Sequence, residues 1–277
     1  PGTLAGLTLA LKQHGSMSLK EVMSPSIRIA EEGYPVSKTL NGIMKDNFEK
    51  ISKFPATAAV YLKDGLPYEV GDKLVLKDLA KSYRLIAEKG PDVFYKGEIA
   101  DAIEKEMKSS PNGLITKADL AVYKPVVRKP VRGSYRGYEI ISMSPPSSGG
   151  THIIQILNVL EGFNVTRLGY NTSASLHVMA EAMKRAFADR SKYMADTDFV
   201  KVPIAGLTSK KYADELRKGI SLDAVGSKIP AGNPLPFGSG GTSHLSVIDK
   251  NGNIVALTQT INYFFGSGVL VPGTGIL

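Results

Sequence analysis

The chain has no cysteine, no tryptophan and only four histidines among its 277 residues. Without cysteine it can form no disulfide bridge, thiolate metal site or cysteine nucleophile. The histidines lie far apart, so a close-spaced metal motif such as HExxH is excluded. No apolar run approaches the ~18 residues that a membrane-spanning helix needs. These absences exclude thiol chemistry and predict no membrane span, but they leave the cellular compartment open.

Acidic residues are fewer than basic ones, 26 against 34, which gives a net charge of +8. Five of the basic residues form a run without acids between Lys124 and Arg136. Nucleic-acid binding would call for interleaved aromatics and a recognisable module, and the run has only Tyr123 and Tyr135 beside it. We interpret the run as a solvated face and predict no nucleic-acid partner.

Helical periodicity with short extended segments dominates residues 1–200. Ser18 with Glu21 forms a capping box, and Thr116 with Asp119 opens a short helix. Asp64-Gly65 predicts the turn of a hairpin over residues 59–70. Strands are expected between residues 126 and 143. The predicted longer helices cover residues 4–14, 18–33, 37–53, 76–89, 97–109, 151–161 and 175–193.

A segment rich in proline and glycine, residues 229–241, is interpreted as a linker that runs directly into Thr242. The pattern then predicts a buried hairpin, with strands over 243–249 and 254–261 and a type I′ turn at Asn251-Gly252. A threonine hydroxyl is a poor nucleophile near neutral pH, but cleavage before the threonine would free an α-amine of pKa about 8 as its general base. The alternative is an ordinary glycine-rich loop that enters a strand beginning with threonine.

Thr258, Thr260 and Asn262 are alternate residues and would share one face of the second strand. That face could line a site, or it could be the solvent side of a half-buried strand. Residues 145–150 could bind an anion at a helix start or simply form a turn and N-cap. His244 could polarise a group or be a hydrogen-bonded packing residue.

The ends of the sequence also carry expectations. There is no initiating methionine, so we expect Pro1 to lie inside a longer chain. A strand-and-turn segment over residues 266–277 would expose an unpaired edge, which natural proteins avoid. We therefore expect the sequence to be a fragment whose site lacks some partners.

Three long motifs resemble the γ-glutamyltranspeptidase (glutathione hydrolase) family. They are GGTSHLSVIDKNGNIVALTQTINYFFGSG, PPSSGGTHIIQILNVLE and AFADRSKYMADTDFVKVP, and the opening PGTLAGL, SLKEVMSPSIRIAEEGYPVS and ITKADLAVYKPV also look like the family's large subunit. The resemblance covers essentially the whole chain. It implies an α+β fold, the four-layer αββα sandwich of the N-terminal nucleophile hydrolases, incomplete in this sequence.

The resemblance also implies self-cleavage of one precursor at Gly241-Thr242. Residues 1–241 would belong to the large subunit and residues 242–277 would begin the small, catalytic one. Thr242 matches the nucleophile and Thr260 the residue that orients it. Asn262 matches a residue that holds the α-amino group of the substrate.

The implied substrates are glutathione and related γ-glutamyl compounds, with water, an amino acid or a dipeptide as acceptor. The resemblance implies no cofactor or metal, and a periplasmic or extracellular location. The family's substrate-carboxylate arginine should precede Pro1, and its oxyanion glycines and its acidic and serine contacts should follow Leu277. We therefore expect little activity from this sequence alone. Two alternatives stay open: a sister acylase (cephalosporin-type or a poly-γ-glutamate depolymerase), and an inactive, uncleaved homologue.

Overall fold

The computed structural model describes residues 2–110, 113–226, 229 and 242–277, with only the backbone of residues 242–244. Its helices are α1 (Gly2–His14), α2 (Leu19–Glu32), α3 (Lys38–Asp46), α4 (Phe48–Ser52), α5 (Pro55–Tyr61), α6 (Lys77–Lys89), α7 (Asp92–Tyr95), α8 (Glu98–Ser109), α9 (Lys117–Val122), α10 (Gly149–Glu161), α11 (Val165–Leu168), α12 (Ser173–Tyr193), α13 (Ile204–Leu207) and α14 (Lys210–Lys218). Its strands are β1 (Tyr34–Pro35), β2 (Leu62–Lys63), β3 (Leu66–Pro67), β4 (Lys73–Leu74), β5 (Val131–Tyr135), β6 (Tyr138–Ser142), β7 (Thr242–Ile248) and β8 (Ile254–Thr260). The strands pair antiparallel as β1–β4, β2–β3, β5–β6 and β7–β8. The α+β prediction is confirmed.

The chain forms two compact units, one from Pro1–Val126 with Gly238–Leu277 and the other from Val127–Phe237. The first unit therefore contains residues from both sides of the predicted cleavage bond, Gly241-Thr242. The division into a large subunit over residues 1–241 and a small one from residue 242 stays a prediction.

Local capping sets the beginnings of two helices as predicted. The Ser18 hydroxyl accepts a hydrogen bond from the Glu21 N–H (3.2 Å), and the Ser18 N–H donates to the Glu21 carboxylate (2.7 Å). Thr116 and Asp119 form the same reciprocal pair at the start of α9. Each pair satisfies backbone donors that the first turn of a helix leaves without an internal acceptor.

Two segments of the first unit differ from the prediction. The helix expected over residues 37–53 breaks at Asn47, whose side-chain amide donates to the Ile43 carbonyl (2.9 Å) and so competes with the helical pattern. The Asp64-Gly65 turn is present, with positive φ at both residues, but each strand beside it has only two residues. Residues 55–61 form α5 instead, because Pro55 occupies a first-turn position where its fixed φ favours a helix.

Two apolar clusters form the core of the first unit. Their buried members are Val36, Met44, Ile51, Leu62, Leu74 and Phe265 in one, and Ile86, Val93, Tyr95, Ile99, Ala100, Ile103, Leu120 and Val271 in the other. Each cluster includes one residue from the end of the chain, Phe265 or Val271. The last residues of the sequence are therefore part of the core, packed on helices more than 150 positions earlier.

The second unit is built around α10, which contacts α12, α14 and the β5–β6 hairpin. Val159, Ala182 and Ala213 form its apolar centre. Within α12, Glu181 is buried and its carboxylate accepts a hydrogen bond from Arg185 at 2.7 Å and another from Lys184 at 2.7 Å. Burial alone would raise the pKa of Glu181, but these bonds and one from the Gly226 N–H outweigh it and lower the pKa to about 2.

No helix among the described residues is long and apolar enough to cross a bilayer.

The Glu181 ion pair predicts a pH dependence of stability. Because the folded-state pKa lies below the unfolded one, the ionised carboxylate stabilises the fold above about pH 4.5, and this stabilisation is lost as the pH falls towards 2. We expect Glu181→Gln to lower the free energy of unfolding at pH 7 by about 3 kcal/mol, as for other buried pairs that lose one partner. At pH 3 the loss should be smaller. Urea unfolding at both pH values measures the difference.

A matched control is Glu215→Gln, which removes an exposed ion pair with Lys218 in α14. That change should cost no more than about 1 kcal/mol at either pH. Equal losses for the two variants, or a loss at Glu181 that does not depend on pH, would contradict the assignment.

Candidate active site

The β7–β8 hairpin carries the predicted site at its open end. Its register pairs Thr242 with Thr260, His244 with Thr258 and Ile248 with Ile254. Thr242 and Thr260 are thus the first and last residues of the ladder and lie directly opposite each other. The structure brings these two predicted residues together, although Gly241 lies outside the described residues.

The hairpin was expected to be buried, and this is wrong for the chain as it stands. Residues 245–256 are exposed and Leu257 is half-buried. The reason is that β7 and β8 pair only with each other among the described residues, and an isolated two-stranded sheet buries little of either face.

The connection between the strands is not the predicted type I′ turn. Gly252 has a positive φ but Asn251 does not, whereas a type I′ turn needs both. Instead the Asp249 carboxylate accepts hydrogen bonds from the backbone N–H groups of Asn251 and Asn253 (both 2.9 Å) and from the Asn253 side chain (2.8 Å). Hydrogen bonds from the Asn253 side chain and backbone lower the pKa of Asp249. Asp249 thereby fixes the closed end of the hairpin and, with it, the register.

Asn262 lies beyond the end of β8, not within it. The strand ends at Thr260, and Asn262 has a left-handed backbone with φ 59°. The prediction that Asn262 continues the face of Thr258 and Thr260 is therefore wrong. Asparagine is among the few residues that adopt this conformation readily, which allows the chain to turn here. The Asn262 N–H donates to Thr260 Oγ1 (3.1 Å), so the two predicted site residues are joined by a hydrogen bond.

The residues after Asn262 anchor the open end of the hairpin to the core of the first unit. Phe265 is 6% exposed and packs edge-to-face on Tyr61, with ring centroids 5.0 Å apart. The Lys50 ammonium donates to the carbonyls of Phe264 (3.1 Å) and Gly266 (3.4 Å). The expected exposed edge over residues 266–277 is wrong, since Leu270, Val271 and Thr274 are buried. These contacts could not be predicted from the sequence, because a side-chain contact to a backbone some 200 positions away leaves no periodic pattern.

The other candidates take structural roles. At the start of α10, the Ser148 hydroxyl accepts from the Arg190 guanidinium (2.8 Å) and Ser147 Oγ accepts from the Gly149 N–H (3.3 Å). These two bonds support a turn, whereas the N-cap part of the prediction is wrong, since the Ser148 side chain makes no capping hydrogen bond to α10. The neighbouring His152 is buried, and burial lowers its pKa.

Two of the five residues in the basic run form ion pairs with described residues. Arg128 forms ion pairs with Asp196 and Asp198, and Arg132 forms one with Glu139. These contacts agree with a solvated face. The side chain of His244 lies outside the described part of the structure.

No group of three or more histidine or acidic side chains that could hold a metal ion occurs among the described residues.

Comparisons with known proteins extend over the whole chain. The profile of the gamma-glutamyltranspeptidase family matches residues 1–277. The chain is 46% identical to the glutathione hydrolase proenzyme of Escherichia coli (strain K12), over all of this chain and 48% of that protein. It is 45% identical to the acylase ACY 1 proenzyme of Pseudomonas sp. (strain SE83), over all of this chain and 49% of that protein. The chain thus spans about half the length of these relatives.

A solved structure gives the same relationship. The crystal structure of Helicobacter pylori γ-glutamyltranspeptidase matches with a TM-score of 0.79 and 47% identity, covering 82% of this chain and 65% of that one. The fold is therefore that of the N-terminal nucleophile hydrolases, in agreement with the expectation from the motifs. On these matches in sequence and structure, the chain belongs to the γ-glutamyltranspeptidase family.

Proposed function

We propose that this protein, in its full length, transfers and hydrolyses γ-glutamyl groups through a threonine nucleophile, Thr242, after cutting itself at Gly241-Thr242. The observation that carries the proposal is the pairing of Thr242 with Thr260 at the open end of the hairpin, with Asn262 hydrogen-bonded to Thr260. Directly opposed residues of an antiparallel ladder have Cβ atoms about 4.5–5.5 Å apart, so this register supports a role for Thr260 beside the nucleophile.

Cleavage before Thr242 supplies the base that its hydroxyl needs. The new α-amine has an ordinary pKa of about 8, so a large fraction of it is neutral near neutral pH and can accept the hydroxyl proton. The family membership and the word proenzyme in the names of both relatives support such a maturation step. Its products are a large subunit ending at Gly241 and a small subunit beginning at Thr242.

In the proposed reaction, Thr242 Oγ attacks the γ-amide carbonyl of glutathione or a related compound. A carbon–oxygen bond forms, the carbon–nitrogen bond breaks, and the α-amine passes the hydroxyl proton to the leaving amine. Water, or the amine of an amino acid or dipeptide, then attacks the γ-glutamyl ester and restores the free hydroxyl. Because the N-terminal amine serves as base, these steps use no cofactor.

Thr260 and Asn262 have separate roles in this scheme. Thr260, held in the strand and bonded to the Asn262 N–H, orients the nucleophile. The side-chain oxygen of Asn262 accepts a hydrogen bond from the substrate's α-ammonium group, which is a charge-assisted bond. The turn at Asn262 exposes this residue beside the end of the strand, where a small ligand can reach it.

An acylase that accepts a different amide is the second candidate. Sequence identity does not separate the two, since the glutathione hydrolase and the acylase are 46% and 45% identical to this chain. Asn262 favours the γ-glutamyl substrate because an amide oxygen suits a free α-ammonium group. We also propose a periplasmic or extracellular location, on family resemblance alone.

Parallel assays distinguish these activities. The protein as its gene encodes it should release the amine from a γ-glutamyl anilide and leave a cephalosporin side-chain amide largely intact. Turnover of the cephalosporin amide alone would make the protein an acylase. A single uncleaved chain without turnover of either substrate would make it an inactive homologue.

Substitution of Thr242 tests the nucleophile. Thr242→Ala should abolish both self-cleavage and turnover while the fold stays intact, because one hydroxyl serves both reactions. Thr242→Ser should retain some of each, since the hydroxyl and the α-amine remain. Gel electrophoresis follows cleavage and the anilide assay follows turnover. Residual activity above a tenth of the wild-type value in Thr242→Ala would contradict the assignment.

Substitution of Asn262 tests substrate recognition. A charge-assisted hydrogen bond contributes roughly 1.5–3 kcal/mol, so Asn262→Gly should raise KM for γ-glutamyl substrates about ten- to a hundredfold. Glycine is the informative replacement because it keeps the left-handed backbone of this position (φ 59°) without strain. Self-cleavage should be largely spared, since no substrate ammonium takes part in it.

Two controls separate the side chain from the backbone. Asn262→Ala should raise KM similarly, with an added loss of stability from the strained backbone. A substrate analogue without the α-amino group should bind wild type and Asn262→Gly alike. If Asn262→Gly matches wild type and only Asn262→Ala is impaired, Asn262 is a turn residue and does not bind substrate.

A further inference from the structure

We propose that residues 264–276 are the anchor that keeps the C-terminal cleavage product bound to the N-terminal one, and that the buried hydroxyl of Thr57 is the main polar contact of this anchor. The proposal rests on the proposed cleavage at Gly241-Thr242. It assigns a binding surface, whose partner is the second product of the same precursor.

The Thr57 hydroxyl makes two hydrogen bonds to the backbone of the anchor. It is fully buried in α5, and its hydroxyl donates to the Gly268 carbonyl at 2.6 Å and accepts from the Leu270 N–H at 3.1 Å. One side chain thus satisfies one buried donor and one buried acceptor of a segment that lies more than 200 positions away. Valine, which has the same shape, would leave both backbone groups without a partner in an apolar surrounding.

Ser82 of α6 makes a second contact of the same kind further along the anchor. Its hydroxyl is buried and donates to the Thr274 carbonyl at 2.7 Å. The Lys50 ammonium adds the contacts to the carbonyls of Phe264 and Gly266 described above. Polar side chains of α4, α5 and α6 therefore bind main-chain atoms along the anchor.

The anchor approaches these helices too closely for side chains at two positions. A Cβ atom on Gly268 would lie 2.8 Å from the Phe54 ring, and one on Gly275 would lie 2.4 Å from the Leu79 backbone nitrogen. Both glycines also have positive φ, 86° and 68°. The backbone of the anchor is therefore seated directly on the helices.

Apolar burial supplies the rest of the surface. Phe265 belongs to the core cluster around Met44 and Ile51, and Val271 belongs to the cluster around Ile99. Leu270, between the two, is 3% exposed. The exposed hairpin that precedes the anchor offers little burial of this kind. Once the chain is cut before Thr242, contacts of the anchor replace the lost covalent link.

The test separates retention of the product from the self-cleavage reaction. In the protein as its gene encodes it, Thr242→Ala removes self-cleavage, and a site for a specific protease is placed in residues 238–241. After cutting by that protease, the C-terminal product is measured by size-exclusion chromatography in increasing urea. Thr57→Val and Thr57→Ser are compared in this background.

We expect Thr57→Val to lose the C-terminal product at least tenfold faster than the parent protein at the same urea concentration. Thr57→Ser, which keeps the hydroxyl, should stay within about threefold of the parent. Hydrogen exchange of the Leu270 amide, measured before cutting, should accelerate at least tenfold in Thr57→Val only. Exchange of the amides of α10, in the other unit, should stay unchanged in every variant, and this confirms that each variant is folded.

Retention of the product by Thr57→Val at the parent's rate, with unchanged exchange at Leu270, would overturn the proposal. So would equal losses in the valine and serine variants. Neither outcome bears on the proposed function, because the protease and not Thr242 cuts the chain. Conversely, a wild-type protein that never cleaves itself would remove the proposed function and leave this measurement in place.

Discussion

The position of Thr242 depends on the hydrogen-bonded ladder between β7 and β8. The register sets Thr242 opposite Thr260, and a slip of one residue would turn every side chain of the strand to the other face. Two devices hold this register. At the closed end of the hairpin, the Asp249 carboxylate accepts three hydrogen bonds. At the open end, the chain turns at Asn262 and continues into the segment that packs in the core. The chemistry proposed for Thr242 requires both.

The second constraint is topological. The residues proposed to follow the cleavage bond include Phe265 and Val271, which complete two core clusters made otherwise of residues before that bond. Residues 242–277 therefore carry the hairpin of the candidate site first and then the anchor, which contributes one residue to each core cluster. A cut before Thr242 would free the amine while the packed end of the stretch holds the hairpin in place.

Short sequence patterns correctly predicted the helix caps and one of the turns, which depend only on neighbouring residues. The capping pairs Ser18–Glu21 and Thr116–Asp119 and the Asp64-Gly65 turn are in the structure because each is determined within four residues. The predicted type I′ turn at Asn251-Gly252 was wrong because the backbone N–H groups of Asn251 and Asn253 donate to the Asp249 carboxylate, which stabilises a different connection.

The anchor of residues 264–276 could not be predicted, since its contacts to Thr57 and Ser82 span some 190–215 positions. At the site, the motifs identified the family, and the pairing of Thr242 with Thr260 supports their proposed roles. The face shared with Asn262 was wrong because the strand ends at Thr260. Overall sequence identity does not decide the preferred amide either, since the glutathione hydrolase and the acylase are 46% and 45% identical to this chain.

In the proposed function, Thr242 becomes a chain terminus and carries the acyl group. The most direct measurement is mass spectrometry of the full-length gene product after rapid acid quenching during turnover of a γ-glutamyl substrate. We expect a C-terminal product that begins at Thr242 and carries one γ-glutamyl group on that residue, removable by hydroxylamine as an ester is. A product that begins at another residue, or a γ-glutamyl group attached elsewhere, would contradict it.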